Sequence, residues 1–399
     1  MTERPRTLTP NLRFPDFTDR PRWDAVNGNT LFDLIDRRPA PPGLPILAIT
    51  QEQGAIPRSQ IEYHVSVTEA SIASYKEVQP GDFIISLRSF QGGIEYSNFH
   101  GICSPAYVIL KRVGDGSDEY FRHFFKSERF IEQLTRNIEG LRDGKMISYK
   151  QFSEQLLPAP DPAEQRKIAA CLTSLDELLA AEGRKLDALL AHKRGLMQQL
   201  FPRPGESHPR LRFPEFRNAG EWETRPLAKV AENLDNKRVP ITEKDRKKGN
   251  IPYYGASGIV DYVDDYIFDE NLLCISEDGA NLVSRTYPIA FSISGKAWVN
   301  NHAHVIRFED RAVQTLVEVY LNSIELKDFI TGMAQPKLNR GMLDTIPIPL
   351  PPQSTEQERI ADCLTSLDAL IAAASRKLGG LRTHKKGLMQ QLFPFAEGE

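Results

Sequence analysis

The chain has 399 residues, enough for two ordinary domains with connecting helices, and 40% of them are hydrophobic against 26% charged. Its 50 Lys and Arg against 53 Asp and Glu leave a net charge of −3, which argues against a simple basic-patch nucleic-acid binder: either nucleic acid is not the partner, or the charge is local, or another subunit supplies the rest. No apolar run is long enough to cross a bilayer, the Arg4- and Arg6-bearing start lacks a signal-peptide core, and the four cysteines form no C-x-x-C pair. The expected location is therefore cytoplasmic, with no disulfide framework and no zinc knuckle.

In chain order, the first marked element is the box Leu12-Arg13-Phe14-Pro15-Asp16-Phe17, with Trp23 shortly after it. Strands are predicted over Pro45 to Thr50, Asp82 to Leu87 and Tyr107 to Lys111, and helical spacing runs from Glu119 to Arg136. Two turns stand out in this stretch. Arg88-Ser89-Phe90-Gln91-Gly92-Gly93 follows a strand, and Arg142-Asp143-Gly144-Lys145 with Ser148, Tyr149 and Lys150 precedes a proline linker. Glycine lets backbone approach a partner, and Arg, Lys, Gln, Asn and Ser are the side chains that hold phosphates and read base edges. Arg88, Ser89, Gln91, Arg142, Lys145, Tyr149 and Lys150 are accordingly candidate DNA contacts, against the plainer reading of each as a solvated turn residue.

A long helix follows. Asp161 can cap it, Pro162 suits its first position, and Glu164 closes a capping box. Ile168, Leu172, Leu175, Leu179, Leu186, Leu189, Leu196 and Leu200 fall on a 4-3 alternation, a heptad seam interrupted at Glu182 and Lys193. Phe201-Pro202 stops it. A short link from Arg203 to Arg210 then leads to a second box, Leu211-Arg212-Phe213-Pro214-Glu215-Phe216 with Trp222, at a constant offset of 199 from the first.

In the second insert, strands are predicted over Leu272 to Ser276, Pro288 to Ile293 and Ala303 to Phe308, and a helix over Val313 to Ile330. Lys244 to Lys248 leads into the turn Tyr253-Tyr254-Gly255-Ala256-Ser257-Gly258, and Ser294 to Asn301 reads as another turn. Lys247, Lys248, Tyr254, Ser257, Lys296, Trp298 and Asn300 join the candidate contacts. His302 and His304 could share a strand face as a metal pair, but no third ligand has convincing spacing, so no metal is expected. The final segment, Glu356 to Pro394, repeats Glu164 to Pro202 at an offset of 192, without a gap and with roughly two-thirds of positions identical. Its seam is Ile360, Leu364, Leu367, Ile371, Ala374, Leu378, Leu381, Leu388 and Leu392, interrupted only at Lys385.

Two constant frames thus hold two unlike inserts. The seams cannot stay exposed, and each helix is the obvious partner of the other. Because each insert precedes its own helix, and the first helix needs only a short link to the second box, an antiparallel pair with approximate two-fold symmetry is expected. In it the second helix also ends near Leu12. About 35 residues at about 1.5 Å each make a rod on the order of 50 Å long. The expected domains are 1–160, the central helix 161–202, 203–352 and the distal helix 353–399. No P-loop, no Asn-Pro-Pro-aromatic methyltransferase box, no Rossmann turn and no catalytic triad can be assembled, so no catalysis is expected in this chain.

Two variable inserts, each followed by a near-identical helix entered through Glu164-Gln165…Ile168-Ala169 and Glu356-Gln357…Ile360-Ala361 after proline-rich linkers, resemble the DNA-specificity (S) subunit family of type I restriction–modification enzymes. Gly101 to Tyr107 and Trp298 to His304 are similar to segments of that family's target-recognition domains. The resemblance covers almost the whole chain. It implies an α+β fold of two α/β target-recognition domains separated by two long antiparallel coiled-coil helices with pseudo-two-fold (circular) symmetry. It further implies that each domain reads one half of a split, asymmetric double-stranded DNA target, while the helices dock two modification (methyltransferase) subunits. Those would hold S-adenosylmethionine, and restriction (translocase/endonuclease) subunits would use ATP and Mg. A coiled-coil adaptor with two protein-binding heads, or the recognition subunit of a split type II enzyme, are the competing readings.

Overall fold

The computed structural model describes residues 7–61, 72–136, 147–203, 205–332 and 335–394. They fall into two compact units, Met1–Glu182 with Lys377–Glu399, and Gly183–Arg376. Each unit owns one insert and one end of each long helix.

In the first unit a four-stranded antiparallel sheet runs in the order Phe32–Ile35, Val108–Arg112, Asp82–Ile85, Glu95–Tyr96. Alternation along its strands sends Phe83, Ile85 and Leu110 to one face, where Phe32, Phe121, Phe125 and Phe152 pack. Ile84 and Ile109 point the other way, onto Leu47, Val78 and Cys103. Asp82–Ile85 is buried along its whole length, as a strand covered on both faces should be. The helical stretch anticipated from Glu119 to Arg136 is two helices, Asp118–Phe124 and Glu128–Arg136. They break where the Ser127 hydroxyl donates to the Phe124 carbonyl, offering the backbone an alternative to helix.

The second unit repeats this plan. Glu232–Asn233, Ala303–Arg307, Leu272–Ser276 and Ala290–Ile293 form a sheet of the same strand order, with the helix Arg311–Ser323 over Leu273, Ile275 and Ile306. Its other face carries a second sheet of Gly258–Val263, Lys248–Gly255, Lys296–Val299 and Phe268–Asp269. Both segments taken from sequence as turns, around Tyr253–Gly258 and Ser294–Asn301, therefore contain strands. Tyr254 and Trp298 lie on neighbouring strands of this sheet rather than in loops.

The long helices are Pro162–Leu200 and Ser354–Leu392. In the first unit Ile168, Ala169 and Leu172 pack with Leu388, Met389, Leu392 and Phe393, so the start of one helix lies against the end of the other. In the second unit Leu196, Met197, Leu200 and Phe201 pack with Ile360 and Leu364 in the same antiparallel sense. Ile168, Leu172, Ile360, Leu364, Leu367 and Leu378 of the expected seam are buried; Leu175, Leu179, Leu186, Leu189, Ile371 and Leu381 are half-buried. The charged interruptions are filled by ion pairs. Lys385 meets Asp176 and Lys377 meets Glu182 in the first unit, and Lys193 meets Asp368 in the second. Asp176 and Asp368 are repeat equivalents, as are Lys193 and Lys385. A parallel in-register pairing would set each charge against its own copy, whereas the antiparallel one sets Asp against Lys. Half-exposed pairs of this kind contribute only about 1 kcal/mol each, but they discriminate direction.

The duplicated boxes are hooks onto the helix starts. Arg13 donates through Nε and Nη2 to both oxygens of Glu164, at 2.7 Å each, and Trp23 Nε1 adds a third bond at 3.0 Å. Arg212 holds Glu356 with the same two distances of 2.7 Å. Both carboxylates are fully buried. Next to each hook the Leu12 amide donates to the Gln391 carbonyl, and the Leu211 amide to that of Gln199. Each box thus joins the start of one long helix to the end of the other.

Candidate nucleic-acid interface

The turn after Asp82–Ile85 is built by two serines. The Ser86 amide donates to Ser89 Oγ at 2.8 Å, and the Arg88 amide donates back to Ser86 Oγ at 3.2 Å. Ser89 is itself buried, so its hydroxyl shapes the turn rather than facing a ligand. Arg88 and Gln91 are left exposed, the first beside and the second on the short helix Ser89–Gly92. Gly93, at φ 80°, brings the end of the turn against the carbonyl of Phe125.

Lys126 holds this turn from below. Its ammonium donates to the Gly92 carbonyl at 2.8 Å, to the Gln51 carbonyl at 3.1 Å and to Glu95 Oε1. Burial pushes the Glu95 carboxyl up to about 7 against the pull of Lys126, and burial also lowers the Lys126 ammonium. Glu95 Oε2 has no partner among the described residues. Sequence reasoning missed this pair because nothing local marks it: the three acceptors lie 31 to 75 residues away. Since the folded carboxyl titrates above its ordinary value, the folded unit binds the extra proton, and stability falls as pH rises from about 4.5 to 7. The Glu95→Gln variant should lack this loss. The change in unfolding free energy between pH 5 and pH 8, read from urea titrations, should differ between wild type and variant by about 1–3 kcal/mol; parallel pH profiles would show that Glu95 does not titrate there.

The other candidates of the first unit separate. Tyr149 is half-buried and its hydroxyl donates to the Phe32 carbonyl at 3.2 Å, a structural bond. Lys150 is exposed on the helix Tyr149–Ser153, which Ser148 and Gln151 cap reciprocally. Arg142 and Lys145 lie outside the described residues.

In the second unit Lys247, Lys248, Ser257 and Lys296 are exposed, and the Lys296 ammonium sits 4.5 Å from the centre of the Tyr266 ring. Ser257 lies in the two-residue tip of the hairpin joining Lys248–Gly255 and Gly258–Val263, and Ser276 Oγ donates to the adjoining Ala256 carbonyl. Three candidates are engaged within the unit, Tyr254 and Trp298 half-buried and Asn300 buried. Trp298 Nε1 donates to the Val239 carbonyl at 2.7 Å, Tyr254 packs on Phe291, and the buried Asn300 accepts from the His302 amide at 2.8 Å. These residues secure the sheet and its turns; neither Trp298 Nε1 nor Asn300 Oδ1 points away from the protein.

The two histidines do not act together. His302 lies in the turn before Ala303–Arg307, and its Nδ1 meets Asp278 at 2.8 Å. His304 is buried on the strand with Nδ1 2.6 Å from Asp235 and Nε2 2.7 Å from the Leu338 carbonyl. Asp235, Glu277 and His304 bring three potential ligand atoms together. Arg238 and Lys337 already occupy that cluster: Arg238 bonds Glu277 at 2.7 Å and lies 3.4 Å from Asp235, and Lys337 reaches Glu277 at 3.1 Å. Burial works to raise the Asp235 carboxyl, but His304, the Val305 amide and Arg238 outweigh it and hold it below its usual range. The cluster is a buried salt-bridge network that ties the sheet to its flanking loops.

A family model for the type I restriction modification DNA specificity domain matches residues 219–379. A Haemophilus influenzae protein, provisionally named type I restriction enzyme specificity subunit S.HindORF215P, is 38% identical over 149 residues, spanning 37% of this chain and 38% of that one. The type I restriction enzyme MjaVIII specificity subunit of Methanocaldococcus jannaschii is 23% identical over 93% of this chain and 92% of its own length. The fold is similar to that of the type I restriction-modification system S subunit from M. genitalium, with a TM-score of 0.62, 98% of this chain and 100% of that chain covered, and 15% identity. No helix among the described residues is long and apolar enough to cross a membrane.

Proposed function

We propose that this chain, a member of the type I restriction–modification DNA-specificity family, is the DNA-reading subunit of such a complex, with each unit reading one half of a split, asymmetric target. The observation that carries the reading is the contrast between frame and surface. The two central sheets have the same strand order and the two helix starts are hooked by the same Arg–Glu pair, yet the residues displayed on the two inserts are unrelated. A frame kept constant while its displayed face changes suits two different ligands of one shape, as two half-sites of a duplex are. At about 1–3 kcal/mol of discrimination per base pair, a half-site of a few bases is weakly read by itself, so the joint site depends on linking two readers.

Chemistry belongs to the partners in this reading. Two modification subunits carry S-adenosylmethionine and methylate the target, and restriction subunits supply ATP- and Mg-dependent cleavage. The net charge of −3 fits a reader whose phosphate contacts come largely from those partners. Leu178 and Leu370, equivalent positions of the repeat, are 41% and 57% exposed on their helices and offer one apolar contact per copy, which suits two identical docked subunits. The boundaries 1–160, 161–202, 203–352 and 353–399 describe the reading segments and docking helices, and the working compartment is the cytoplasm.

The test is to assemble the chain with its modification subunits and map methylated adenines on random-sequence duplexes. Arg88→Ala combined with Gln91→Ala should relax or change bases in one half of the target and leave the other half intact. Methylation of the wild-type sequence should fall by about tenfold or more for each base-reading side chain removed. Changes in both halves, or in neither, would count against one half-site per unit.

A further inference from the structure

We infer that the turn Gly279–Tyr287 is the second unit's counterpart of Arg88–Gly93 and that Tyr287 and Val283 on it determine the second half-site. This rests on the reading of the chain as a DNA-specificity subunit and names the element that does the reading in the unit Gly183–Arg376.

The equivalence comes from strand register. In the first sheet Leu110 faces Phe83 and Leu34 across its two neighbouring strands; in the second, Ile306 faces Leu273 and Asn233. Aligning those positions sets Ile84 on Cys274, Ile85 on Ile275 and Ser86 on Ser276. The strands end within one residue of each other in this alignment, at Ile85 and at Ser276, and each is followed by one short helix, Ser89–Gly92 in the first unit and Asn281–Ser284 in the second.

The two turns are also fastened alike, with the donor reversed. In the first unit Lys126, just beyond the helix Asp118–Phe124, donates to the Gly92 carbonyl of the turn. In the second, Arg285 of the turn donates to the Leu321 and Ile324 carbonyls at the end of Arg311–Ser323, at 3.3 and 2.7 Å. Arg285 takes up a left-handed backbone, φ 52°, to do so. A cation thus ties turn to helix end in both units. Each turn carries one arginine and no acid, in a chain whose acids outnumber its bases.

What the second turn displays differs from the first. Asn281 grips the Tyr287 backbone from both sides, accepting from its amide at 2.9 Å and donating to its carbonyl at 3.0 Å. The ring so held is 62% exposed, and Val283 is 57% exposed beside Ser284 and Thr286. A large aromatic ring on a backbone locked by two bonds is presented at little further entropic cost. Against a duplex, an aromatic and an aliphatic side chain on such a turn suit thymine methyl groups or a base step, where apolar contact discriminates, while Arg88 and Gln91 suit hydrogen-bonded readout. The two half-sites are thus read differently in kind, one by polar side chains and the other largely by aromatic and aliphatic contact.

The test uses the assembled complex of this chain with its modification subunits, S-adenosylmethionine and a pool of duplexes. Tyr287→Ala and Val283→Ser should each lower methylation of the wild-type target by about tenfold and relax bases only in the half that Arg88→Ala leaves intact. Tyr287→Phe, which keeps the ring, should retain the target. Melting temperatures within a degree or two of wild type would separate these effects from unfolding, as expected for exposed side chains. If Arg88→Ala relaxes its half-site while Tyr287→Ala and Val283→Ser leave target and rate within twofold, the assignment of this turn is overturned and DNA reading by the chain stands. A wild-type complex with no defined target would overturn both.

Discussion

Replacing Arg13 by alanine is expected to destabilise the unit Met1–Glu182/Lys377–Glu399 by about 3–5 kcal/mol. The reason is what it leaves behind. Glu164 has a side chain with no solvent exposure, and Arg13 supplies two of its bonds at 2.7 Å. Without the guanidinium, a carboxylate stays buried beside Trp23 alone, and the start of the first long helix loses its tie to the chain that docks Leu12 on Gln391. Urea unfolding reads the loss directly. An Arg13→Ala/Glu164→Leu double variant should recover most of it, because no charge is then stranded. Arg212→Ala should act on the other unit with similar size, since Arg212 meets Glu356 in the same geometry. The tryptophans supply an internal contrast. Trp23 Nε1 donates to Glu164, whereas Trp222 Nε1 is buried with no partner in the described residues. Trp23→Phe should therefore cost the roughly 1.5–3 kcal/mol of a hydrogen bond to a charged group in addition to any repacking, and Trp222→Phe only the repacking. A loss under 1 kcal/mol for Arg13→Ala would mean the hook is dispensable.

The hook also marks where sequence was legible. A repeat at constant offset says that two segments do one job, and the place of each insert before its helix is enough to choose antiparallel pairing; Leu12 on Gln391 and Leu211 on Gln199 are that expectation in atoms. The family resemblance rested on the same residues, Glu164-Gln165 and Glu356-Gln357. Their physical role was not readable, because Arg13 lies 151 residues from Glu164 and Arg212 lies 144 from Glu356. The seam breaks at Glu182, Lys193 and Lys385 looked like defects for the same reason, since their partners sit 175 to 209 residues away.

Local composition did not show which candidate side chains are engaged within their own unit. Tyr253–Gly258, with two glycines, reads as a turn, but its first three residues belong to the strand Lys248–Gly255, which pairs with Gly258–Val263 on one side and Lys296–Val299 on the other. Polar type alone drew Ser89, Tyr149, Trp298 and Asn300 into the candidate set, and each is turned to the backbone of its own unit. Conversely, Gly279–Tyr287 attracted no notice, having a single basic residue and no glycine pair. Only the shared strand order of the two sheets brings it into correspondence with Arg88–Gly93.

Gly93→Ala should strongly weaken recognition although it adds a single methyl group. Two penalties coincide there. The backbone sits at φ 80°, which an L side chain adopts at a cost of about 1 kcal/mol or more, and a Cβ would come within 2.0 Å of the Phe125 carbonyl oxygen. That oxygen belongs to the backbone between two packed helices and cannot swing aside, so the turn itself must move. Gly114 separates the two effects, because its φ is 77° but nothing lies within 4 Å of a Cβ there. Gly114→Ala should therefore show the conformational cost alone, about 1 kcal/mol, with the DNA target unchanged. Gly93→Ala should exceed it by several kcal/mol or displace the turn, pulling Gly92 off Lys126 and moving Arg88 and Gln91 with it. In the assembled complex the expected outcome is methylation of the wild-type target reduced by at least tenfold, with sequence relaxed in the half read by the first unit and the other half kept. If Gly93→Ala and Gly114→Ala behaved alike in both melting and methylation, the close packing of the turn on Phe125 would have no part in reading DNA.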